Sequence, residues 1–425
     1  MEPPRPPHLQ PLKDALPPLF LGTATFNTQY VDDPAALPAR AIVRRALVDL
    51  DVRGFDTSPY YGPAELLLGD ALAAAGVDRR RYFLATKAGR VHGAGFDYRP
   101  AAVQASVARS LVRLRTDYVD LVYAHDVEFV TPAEAVAAVR ALRQLRTASG
   151  GNGGTGIVKY VGISGFPVDV LADLAGRILR ETGEPVDAVL SYGHCTVQNT
   201  RLVAGSGGGG SGSNDLPAVA RLHQAGVGVV LNASLLNMGL LTTRGVDNGP
   251  QAAWHPSPPE LRAVCAQAAR VCQAQAATSG SDGKIERIAL RYALDLWARA
   301  GAAAGVGTTA AGSSGTSAAP ATVGASVLGV TSVDELTETV LEWWNVLDGL
   351  GVPHRSPDGD GAATAVINSS SSSSKKTDSL RRMQQVKAFV QQTLWPVFGE
   401  WKDFAWASPP PGWVNELRPH EPARL

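Results

Sequence analysis

Cysteine is scarce in this sequence, which carries three such residues among 425, at positions 195, 265 and 272. So few and scattered thiols cannot form the disulfide framework of a small secreted domain or the paired cysteines of a structural zinc site. Cys265 and Cys272 would share one face of a helix, where a free thiol behaves as a small buried apolar group. The scarcity indicates a reducing compartment, and we expect a cytoplasmic protein.

An excess of charge is also missing, since 39 lysine and arginine residues balance 39 aspartate and glutamate residues. Without a net field, the chain is not expected to bind nucleic acid or an anionic membrane surface. The longest uncharged stretch, 300–333, is interrupted by glycine, serine, threonine and Pro320, so it does not predict a transmembrane helix. The N-terminus lacks the apolar run of a signal peptide. The expected partner is a small neutral molecule, bound by a monomer or a weak homo-oligomer.

Eight short runs rich in β-branched or aromatic residues recur along the chain, and segments of helical periodicity lie between them. Strands that alternate with helices pair in parallel through right-handed crossovers, and eight such units predict a closed (β/α)8 TIM barrel. An open doubly wound sheet is the alternative. The predicted strands are 19–26, 53–58, 82–89, 118–126, 158–165, 187–193, 226–234 and 326–332, and the helices with the clearest starts are 39–50, 63–75, 100–115 and 132–146.

The remaining segments have a different composition. We predict a barrel over 16–350, preceded by a proline-rich, disordered lead-in over 1–15 and followed by a disordered insertion over 354–377. An amphipathic, aromatic-rich segment within 378–425 predicts a C-terminal helix and tail packed on the barrel. Glycine- and serine-rich, linker-like insertions are predicted at 147–156, 203–214, 277–283 and 301–319.

One of these insertions contains a spurious motif. Gly205, Gly207 and Gly210 match the G-x-G-x-x-G pattern of dinucleotide-binding folds. That motif works only when it follows a strand and opens a helix, so that backbone N–H groups face a pyrophosphate. Here it lies within a glycine-serine tract, and we interpret it as a linker.

Ionisable residues follow the second, third and fourth predicted strands at their carboxyl ends. These residues are Asp56, Lys87 and His125, and Tyr61 comes five positions after Asp56. In a (β/α)8 barrel the carboxyl ends of the strands form the active site, whereas earlier strand residues form the core. Each side chain alone has an ordinary structural explanation, such as a helix cap or a core hydrogen bond. Four of them at matching strand ends predict a catalytic site.

The chemistry of this set is acid–base catalysis. A tyrosine hydroxyl ordinarily has a pKa of about 10, so Tyr61 can accept a proton near neutrality only if its phenolate is stabilised. We expect the Lys87 ammonium to lower the pKa of Tyr61, Asp56 to hold Lys87, and His125 to orient the substrate oxygen. None of these side chains can store a hydride, so a redox reaction would require a cofactor.

Four motifs resemble those of one family, the aldo-keto reductases. They are GFDTSPYYG at 54–62, LATK at 84–87, DYVDLVYAH at 117–125 and VKYVGISGF at 158–166. The resemblance covers about 19–348 and implies a nicotinamide cofactor, with Tyr61 as the general acid and base, tuned by Lys87 and Asp56. Within the family, the sequence is most similar to the branch of D-arabinose and L-galactose dehydrogenases in three segments, namely 191–202, 232–242 and 254–262. That similarity implies oxidation of a cyclic aldose at C1 to an aldonolactone, a step that feeds synthesis of an ascorbate analogue in fungi.

Two other functions remain open at this stage. The chain could be a reductase of another aldehyde or ketone, or a non-catalytic barrel that binds nicotinamide cofactor as a regulatory subunit. The retention of all four residue types of the tetrad favours an enzyme. Within the aldose branch, D-arabinose is the expected substrate, and L-galactose or L-fucose are the alternatives.

The resemblance also implies which residues hold ligands. For the cofactor they are Gly22, Thr23, Ser164, Ser191, Ser234, Leu236, Gly329, Glu335 and Glu338, and for the substrate Phe26, Tyr60, Tyr192, His194 and Trp254. Glu335 falls where many NADP-dependent members carry arginine. Because a carboxylate repels a 2′-phosphate, we expect NAD, with NADP as the alternative.

Three departures from the family pattern accompany these matches. Gly165 stands where much of the family has asparagine, and Ala233 where a tyrosine usually stacks on the nicotinamide. The string HDVE at 125–128 superficially suggests a metal site. Alternation along an extended segment would separate its ligands, so we predict no metal.

Overall fold

Eight parallel strands close into a barrel in the computed structural model, which describes residues 9–146, 156–205, 216–279, 283–310, 321–354 and 369–417. Each strand coincides with one of the eight predicted runs, although the last begins one residue earlier, at Ala325, so the predicted closed barrel is confirmed and the open sheet is excluded. The strands are β1 (Leu19–Gly22), β2 (Gly54–Asp56), β3 (Phe83–Ala88), β4 (Val119–His125), β5 (Val158–Gly165), β6 (Ala188–Tyr192), β7 (Val229–Ala233) and β8 (Ala325–Gly329).

Helices cover the outside of the barrel and join consecutive strands. A proline opens several of them, as it opens α4 and α5, because its missing N–H is not needed in the first turn. The helices are α1 (Leu12–Ala15), α2 (Ala39–Arg44, continued by a π-helix at Arg45–Asp49), α3 (Ala64–Ala75), α4 (Pro100–Leu114), α5 (Pro132–Gln144), α6 (Val168–Thr182), α7 (Ala218–Gln224), α8 (Pro259–Ser279), α9 (Ile285–Ala303), α10 (Val333–Leu350), α11 (Ser369–Phe389) and α12 (Trp395–Phe398).

The barrel strands are apolar on both faces because both faces are buried. Along β3, Phe83 and Ala85 belong to the apolar cluster inside the barrel, whereas Leu84 packs in the layer between the strands and the helices. Successive side chains of a strand point to opposite faces, so a continuous apolar run can fill two layers at once. No helix in the described ranges is long and apolar enough to cross a membrane.

Residues 9–15 differ from the disordered lead-in predicted over 1–15, of which 1–8 lie outside the described residues. Leu12–Ala15 form α1, and Leu12, together with the following Leu16, joins the apolar cluster inside the barrel. The Tyr160 hydroxyl donates to the carbonyl of Gln10 over 2.8 Å, and Thr308 Oγ1 donates to the carbonyl of Lys13 over 2.7 Å. The prolines suggested disorder, but the leucines between them bury their side chains at the N-terminal end of the barrel.

The insertions are shorter than predicted where the structure describes them. Helix α8 extends into 277–283 as far as Ser279, and α9 extends into 301–319 as far as Ala303. A short strand, Thr308–Thr309, pairs with Thr322–Val323. Helix α11 begins at Ser369, inside the disordered insertion predicted over 354–377. Most of the predicted linkers, including Gly207 and Gly210, lie outside the described residues, namely 147–155, 206–215, 280–282, 311–320 and 355–368.

The C-terminal segment packs on the barrel at α8 and α9. Val390, Leu394 and Phe398 form an apolar cluster with residues of those two helices, including Cys265 and Tyr292. The chain then runs across the barrel mouth. Its last described residues lie against the hairpin after β3, formed by Arg90–His92 and Gly95–Phe96, where the side chain of Asn415 donates to the carbonyl of Phe96 and accepts its N–H.

One buried ion pair links the segment after α5 to the residue that precedes β6. Arg146 Nη2 lies 2.5 Å from Asp187 Oδ2, with side chains 1% and 3% exposed. Asp187→Ala would leave this arginine with only the half-buried Glu184 as a charged partner. We expect the free energy of unfolding to fall by about 3 kcal/mol, because an uncompensated buried charge is costly. Chemical denaturation measures this, and Glu181→Ala, which breaks an exposed pair with Arg177, should cost below about 1 kcal/mol. Equal effects of the two variants would contradict the prediction.

Candidate active site

Strand periodicity aims three of the predicted catalytic side chains into the barrel mouth. In β3 the inward series Phe83, Ala85 continues to Lys87, and in β4 the inward residues Leu121 and Tyr123 continue to His125. Asp56 ends β2 beside Ala85. Because parallel strands share one direction, all three side chains emerge at the same end, as the sequence predicted.

Lys87 and Asp56 form a buried ion pair at this end. Lys87 Nζ donates to Asp56 Oδ1 over 2.5 Å and to the carbonyl of Thr57 over 2.9 Å, and the two charged side chains are 2% and 5% exposed. The same ammonium lies 4.9 Å from the centre of the Tyr61 ring. Asp56, Lys87 and Tyr61, which are separated in sequence, are therefore in contact in the folded chain.

The pKa of Tyr61 shifts opposite to the sequence-based expectation. Burial raises the pKa well above its usual range, and the carboxylates of Asp56 and Asp126 raise it further, while Arg90 lowers it. Lys87 was expected to dominate, but its charge is directed at Asp56. Tyr61 is therefore a neutral phenol at neutral pH, the form that can donate a proton.

His125 is held as a neutral imidazole. Burial lowers its pKa to about 3, with Lys87 acting in the same direction. Its Nδ1 is hydrogen-bonded to Ser58 Oγ at 3.1 Å. Since that oxygen already accepts the Tyr60 N–H, its own hydrogen is available for Nδ1, which leaves the ring proton on Nε2. The ring lies edge-on to Tyr61, with centroids 5.7 Å apart, so an oxygen between them can meet two donors.

Arg90 and Asp126 were not predicted as site residues, yet both line the cavity. Arg90 Nη1 donates to Asp126 Oδ2 over 2.6 Å, and that oxygen is 3.5 Å from His125 Nε2. The guanidinium lies 3.7 Å from the centre of the Tyr60 ring. The sequence offered one signal, the position of Asp126 directly after His125, but this was interpreted only as part of a metal-like string.

A cavity of about 1230 Å³ runs from the tetrad to the start of α10. It is larger than a usual small-molecule pocket, so it has room for a dinucleotide and a substrate. Asp56, Tyr61 and His125 line it, and Lys87 lies buried behind them. The predicted cofactor residues that line it are Gly22, Ser234, Leu236, Gly329, Glu335 and Glu338, together with Ala233.

The wall of this cavity suits a dinucleotide in three respects. Ser234 and Met238, in the loop after β7, line it with φ angles of 58° and 55°, an uncommon backbone conformation that recurs at ligand sites. A Cβ at Gly329 would approach Thr25 to 2.8 Å, so glycine keeps the backbone open there. The N-terminus of α10 also borders the cavity, and a helix N-terminus favours phosphate.

Glu335 has a structural partner at that N-terminus. Its Oε2 accepts the Thr331 N–H over 2.7 Å, and its own N–H is accepted by the N-cap residue Ser332. The side chain is nevertheless exposed to the cavity. The structure therefore places a negative charge where the adenosine end of a dinucleotide was predicted.

Five predicted ligand residues do not line the cavity. Thr23 fixes the end of β2, because its N–H donates to the Asp56 carbonyl over 2.8 Å. Phe26, expected to contact substrate, is fully buried in the apolar layer under the helices. His194 is 1% exposed and packs at a tilt against Phe166, with ring centroids 4.4 Å apart. Ser164 and Ser191 are also buried within the sheet. Loop positions next to a strand end can be drawn inward by packing, which the alignment of motifs cannot reveal.

Gly165 has a steric explanation in this fold. A Cβ there would lie 2.4 Å from Glu128 Oε2, so the carboxyl group of Glu128 occupies the space of a side chain at 165. The other oxygen of Glu128 accepts the Phe166 N–H and the Ser408 hydroxyl. Burial and the nearby Asp126 raise the pKa of Glu128 to about 8. Glu128 therefore ties the end of β5 to the C-terminal segment.

Aromatic side chains form the opposite wall of the cavity. Tyr60, Tyr192 and Trp254, which the sequence predicted to contact substrate, line the cavity, and the C-terminal segment adds Trp406 and Trp413. Trp254 Nε1 donates to the Gln29 carbonyl over 2.7 Å, and Gln29 Nε2 donates to the Tyr60 hydroxyl over 3.1 Å. The tail after α12, not the C-terminal helices, therefore covers the mouth.

The described part of the chain contains neither a cluster of metal-binding side chains nor a reactive thiol. No group of three or more histidine, cysteine, aspartate or glutamate side chains there is arranged to hold a metal ion. All three cysteines are free and buried, and burial raises the pKa of the Cys265 and Cys272 thiols to about 12. At neutral pH these thiols are protonated and unreactive.

Residues 18–348 of this chain match the sequence profile of the aldo/keto reductase family. D-arabinose 1-dehydrogenase of Saccharomyces cerevisiae is 36% identical over 284 residues, which is 66% of this chain and 76% of that protein. L-galactose dehydrogenase of Arabidopsis thaliana is 35% identical over 258 residues, or 60% of this chain and 70% of that protein. A solved structure named as an aldo-keto reductase from Pseudomonas aeruginosa aligns with TM-score 0.45 at 18% identity, over 78% of this chain and 90% of that chain.

The buried position of His194 predicts a pH dependence of stability. Burial lowers its pKa to about 4, whereas an unfolded histidine has a pKa of about 6.5. Between these values the unfolded chain binds the extra proton, so stability falls as the pH falls, by up to about 1.4 kcal/mol per unit. His194→Asn keeps a donor for the Tyr192 carbonyl but removes the titration. Denaturation at several pH values should show a flatter curve for the variant below about pH 6.5. Parallel curves would contradict the assignment.

Proposed function

Because this chain belongs to the aldo/keto reductase family, we propose that it oxidises an aldose at C1 with NAD, forming the aldonolactone. Family membership makes it an oxidoreductase, which sets aside a purely regulatory barrel. D-arabinose is the proposed substrate, with L-galactose or L-fucose as alternatives. The reason is that the two relatives whose matches span most of their length, 76% and 70%, are named as sugar dehydrogenases. The observation that carries the proposal is the convergence of Asp56, Tyr61, Lys87 and His125 at the end of one cavity.

The proton chemistry of the reaction falls to Tyr61. In oxidation the Tyr61 phenol first loses its own proton to water, and the resulting phenolate then accepts the proton of the C1 hydroxyl, while His125 donates from Nε2 to the same oxygen, which fixes its position. A bound nicotinamide would supply the hydride acceptor, because no side chain of the tetrad can store two electrons. Arg90 limits the cost of phenolate formation, since its charge lowers the pKa of Tyr61, and the Lys87 ammonium packs against the Tyr61 ring.

The cofactor site is proposed along the cavity wall from the tetrad to α10. Ser234 and Leu236 would meet the central phosphates, and Gly329, Glu335 and Glu338 the adenosine end. Opposite them, Tyr60, Tyr192 and Trp254 would contact the sugar, whose apolar faces pack on aromatic rings. These assignments rest on the lining of the cavity and on the family resemblance.

Reduction of another carbonyl compound is the second candidate. It is favoured by the neutral state of Tyr61, because a phenol with a raised pKa is a ready proton donor and a poor acceptor. Both directions share one site and one proton path. Initial rates with NAD and a panel of aldoses, compared with rates with NADH and a panel of aldehydes and ketones, decide between them.

Tyr61→Phe should abolish most of the turnover. Removal of a general acid or base typically costs about 10²- to 10⁴-fold in rate, and this substitution removes only the hydroxyl. Affinity for NAD, measured by quenching of protein fluorescence, should persist. Turnover is followed by absorbance of the reduced cofactor with D-arabinose.

Tyr60→Phe is the matched control for this prediction. It removes a hydroxyl that accepts a hydrogen bond from Gln29, so we expect a decrease below about tenfold. Near-normal turnover of the Tyr61 variant, or equal losses in the two variants, would remove Tyr61 from the proton path.

Glu335→Gln should increase the use of NADP relative to NAD. The amide keeps an acceptor for the Thr331 N–H but removes the charge that opposes a 2′-phosphate, a change of about 1 kcal/mol or roughly fivefold. The ratio of kcat/KM values for the two cofactors measures it. Glu400→Gln, outside the cavity, is the control. An unchanged ratio in the Glu335 variant would exclude Glu335 from the cofactor site.

A further inference from the structure

We infer that Asp126, held by Arg90, binds the hydroxyl group on the carbon next to the reacting carbon, and thereby selects polyhydroxylated substrates. This inference rests on the proposed function and assigns a specificity residue to its site. Neither residue belongs to the tetrad, and both side chains line the cavity at its catalytic end.

The position of the carboxylate fixes what it can reach. Asp126 Oδ2 lies 3.5 Å from His125 Nε2, the atom proposed to bind the reacting oxygen. Two protein atoms at that separation can face two oxygens on adjacent carbons of one small molecule. In a cyclic aldose that binds through its C1 oxygen, the neighbouring hydroxyl is the one on C2.

The conformation of Asp126 is unusual for a residue with a side chain. Its φ is 55°, in the left-handed region, and its carboxylate is 3% exposed. Such a backbone costs free energy and persists where the surroundings enforce it, often at ligand sites. Arg90 supplies this constraint, because its Nη1 holds Asp126 while its Nη2 donates to the Gly93 carbonyl over 3.0 Å. Stacking on Tyr60 fixes the guanidinium plane.

One oxygen of this carboxylate remains available. Arg90 makes one hydrogen bond to Oδ2, the oxygen that lies 3.5 Å from His125 Nε2, and a carboxylate oxygen has a second lone pair that can accept a hydroxyl. Burial opposes ionisation, but the charges of Arg90 and Lys87 hold the pKa of Asp126 below its usual range, so the group is an anion. A carboxylate only accepts hydrogen bonds, so it recognises a hydroxyl and repels an anionic substrate. A simple aldehyde would leave it unpaired at a cost.

Asp126→Asn tests the inference with little change in shape, since asparagine tolerates a positive φ. The measured quantity is the ratio of kcat/KM for D-arabinose to that for its 2-deoxy analogue, 2-deoxy-D-ribose, with NAD. The native protein should prefer D-arabinose by at least about tenfold, and the variant should lose most of this preference. Arg90→Lys should lose part of it, because an ammonium cannot hold the carboxylate as a planar fork does.

Asp173→Asn, a change to a carboxylate that is 78% exposed, is the matched control and should keep the preference. Fluorescence titration with NAD checks that each variant retains its cofactor site. An unchanged preference in both the Asp126 and the Arg90 variants overturns the inference and leaves the proposed function intact. If the native protein oxidises no sugar, the proposed function fails. In that case the ratio of kcat/KM for D-glyceraldehyde to kcat/KM for propanal is measured, with NADH as the reductant. D-glyceraldehyde carries the neighbouring hydroxyl and propanal lacks it, so equal kcat/KM values in the native protein would overturn the inference.

Discussion

The ion pair between Lys87 and Asp56 constrains the whole catalytic end of the barrel. Two charges with side chains 2% and 5% exposed are tolerable only because they neutralise each other and because the Thr57 carbonyl takes a further hydrogen bond from the ammonium. Tyr61 packs its ring against that ammonium. The pair therefore fixes β2 against β3 and provides the surface on which the proton-transferring phenol rests.

The electrostatics of the phenol depend on more than this pair. Asp56 and Asp126 lie close enough to raise the pKa of Tyr61, in the same direction as burial, whereas Arg90 opposes them. The site therefore holds one proton on Tyr61 and one on the neutral His125 imidazole. Two hydrogen-bond donors thus converge on the place of a substrate oxygen, which suits a site that must bind either a hydroxyl or a carbonyl group.

Substrate selection is assigned to parts of the chain that lie far apart in sequence. The hairpin after β3 supplies Arg90, the end of β4 supplies Asp126, and the C-terminal segment supplies Trp406 and Trp413. Glu128 and Asn415 join these parts, since they bind Ser408 and Phe96 across about 280 and 319 positions of sequence. A rigid frame of strands thus carries variable walls, as is usual for barrels.

The sequence by itself determined the eight strands and the order of the tetrad, because a period of two along apolar runs and a five-residue step from Asp56 to Tyr61 are local properties. Only the tertiary structure decided which flanking residues line the cavity. Phe26 and His194 are buried in the protein interior instead, and leucines at the N-terminal end of the chain pack inside the barrel. It also reversed the expected pKa direction for Tyr61 and revealed the Arg90–Asp126 pair. Burial and the sum of neighbouring charges are set by segments distant in sequence, so no local pattern encodes them.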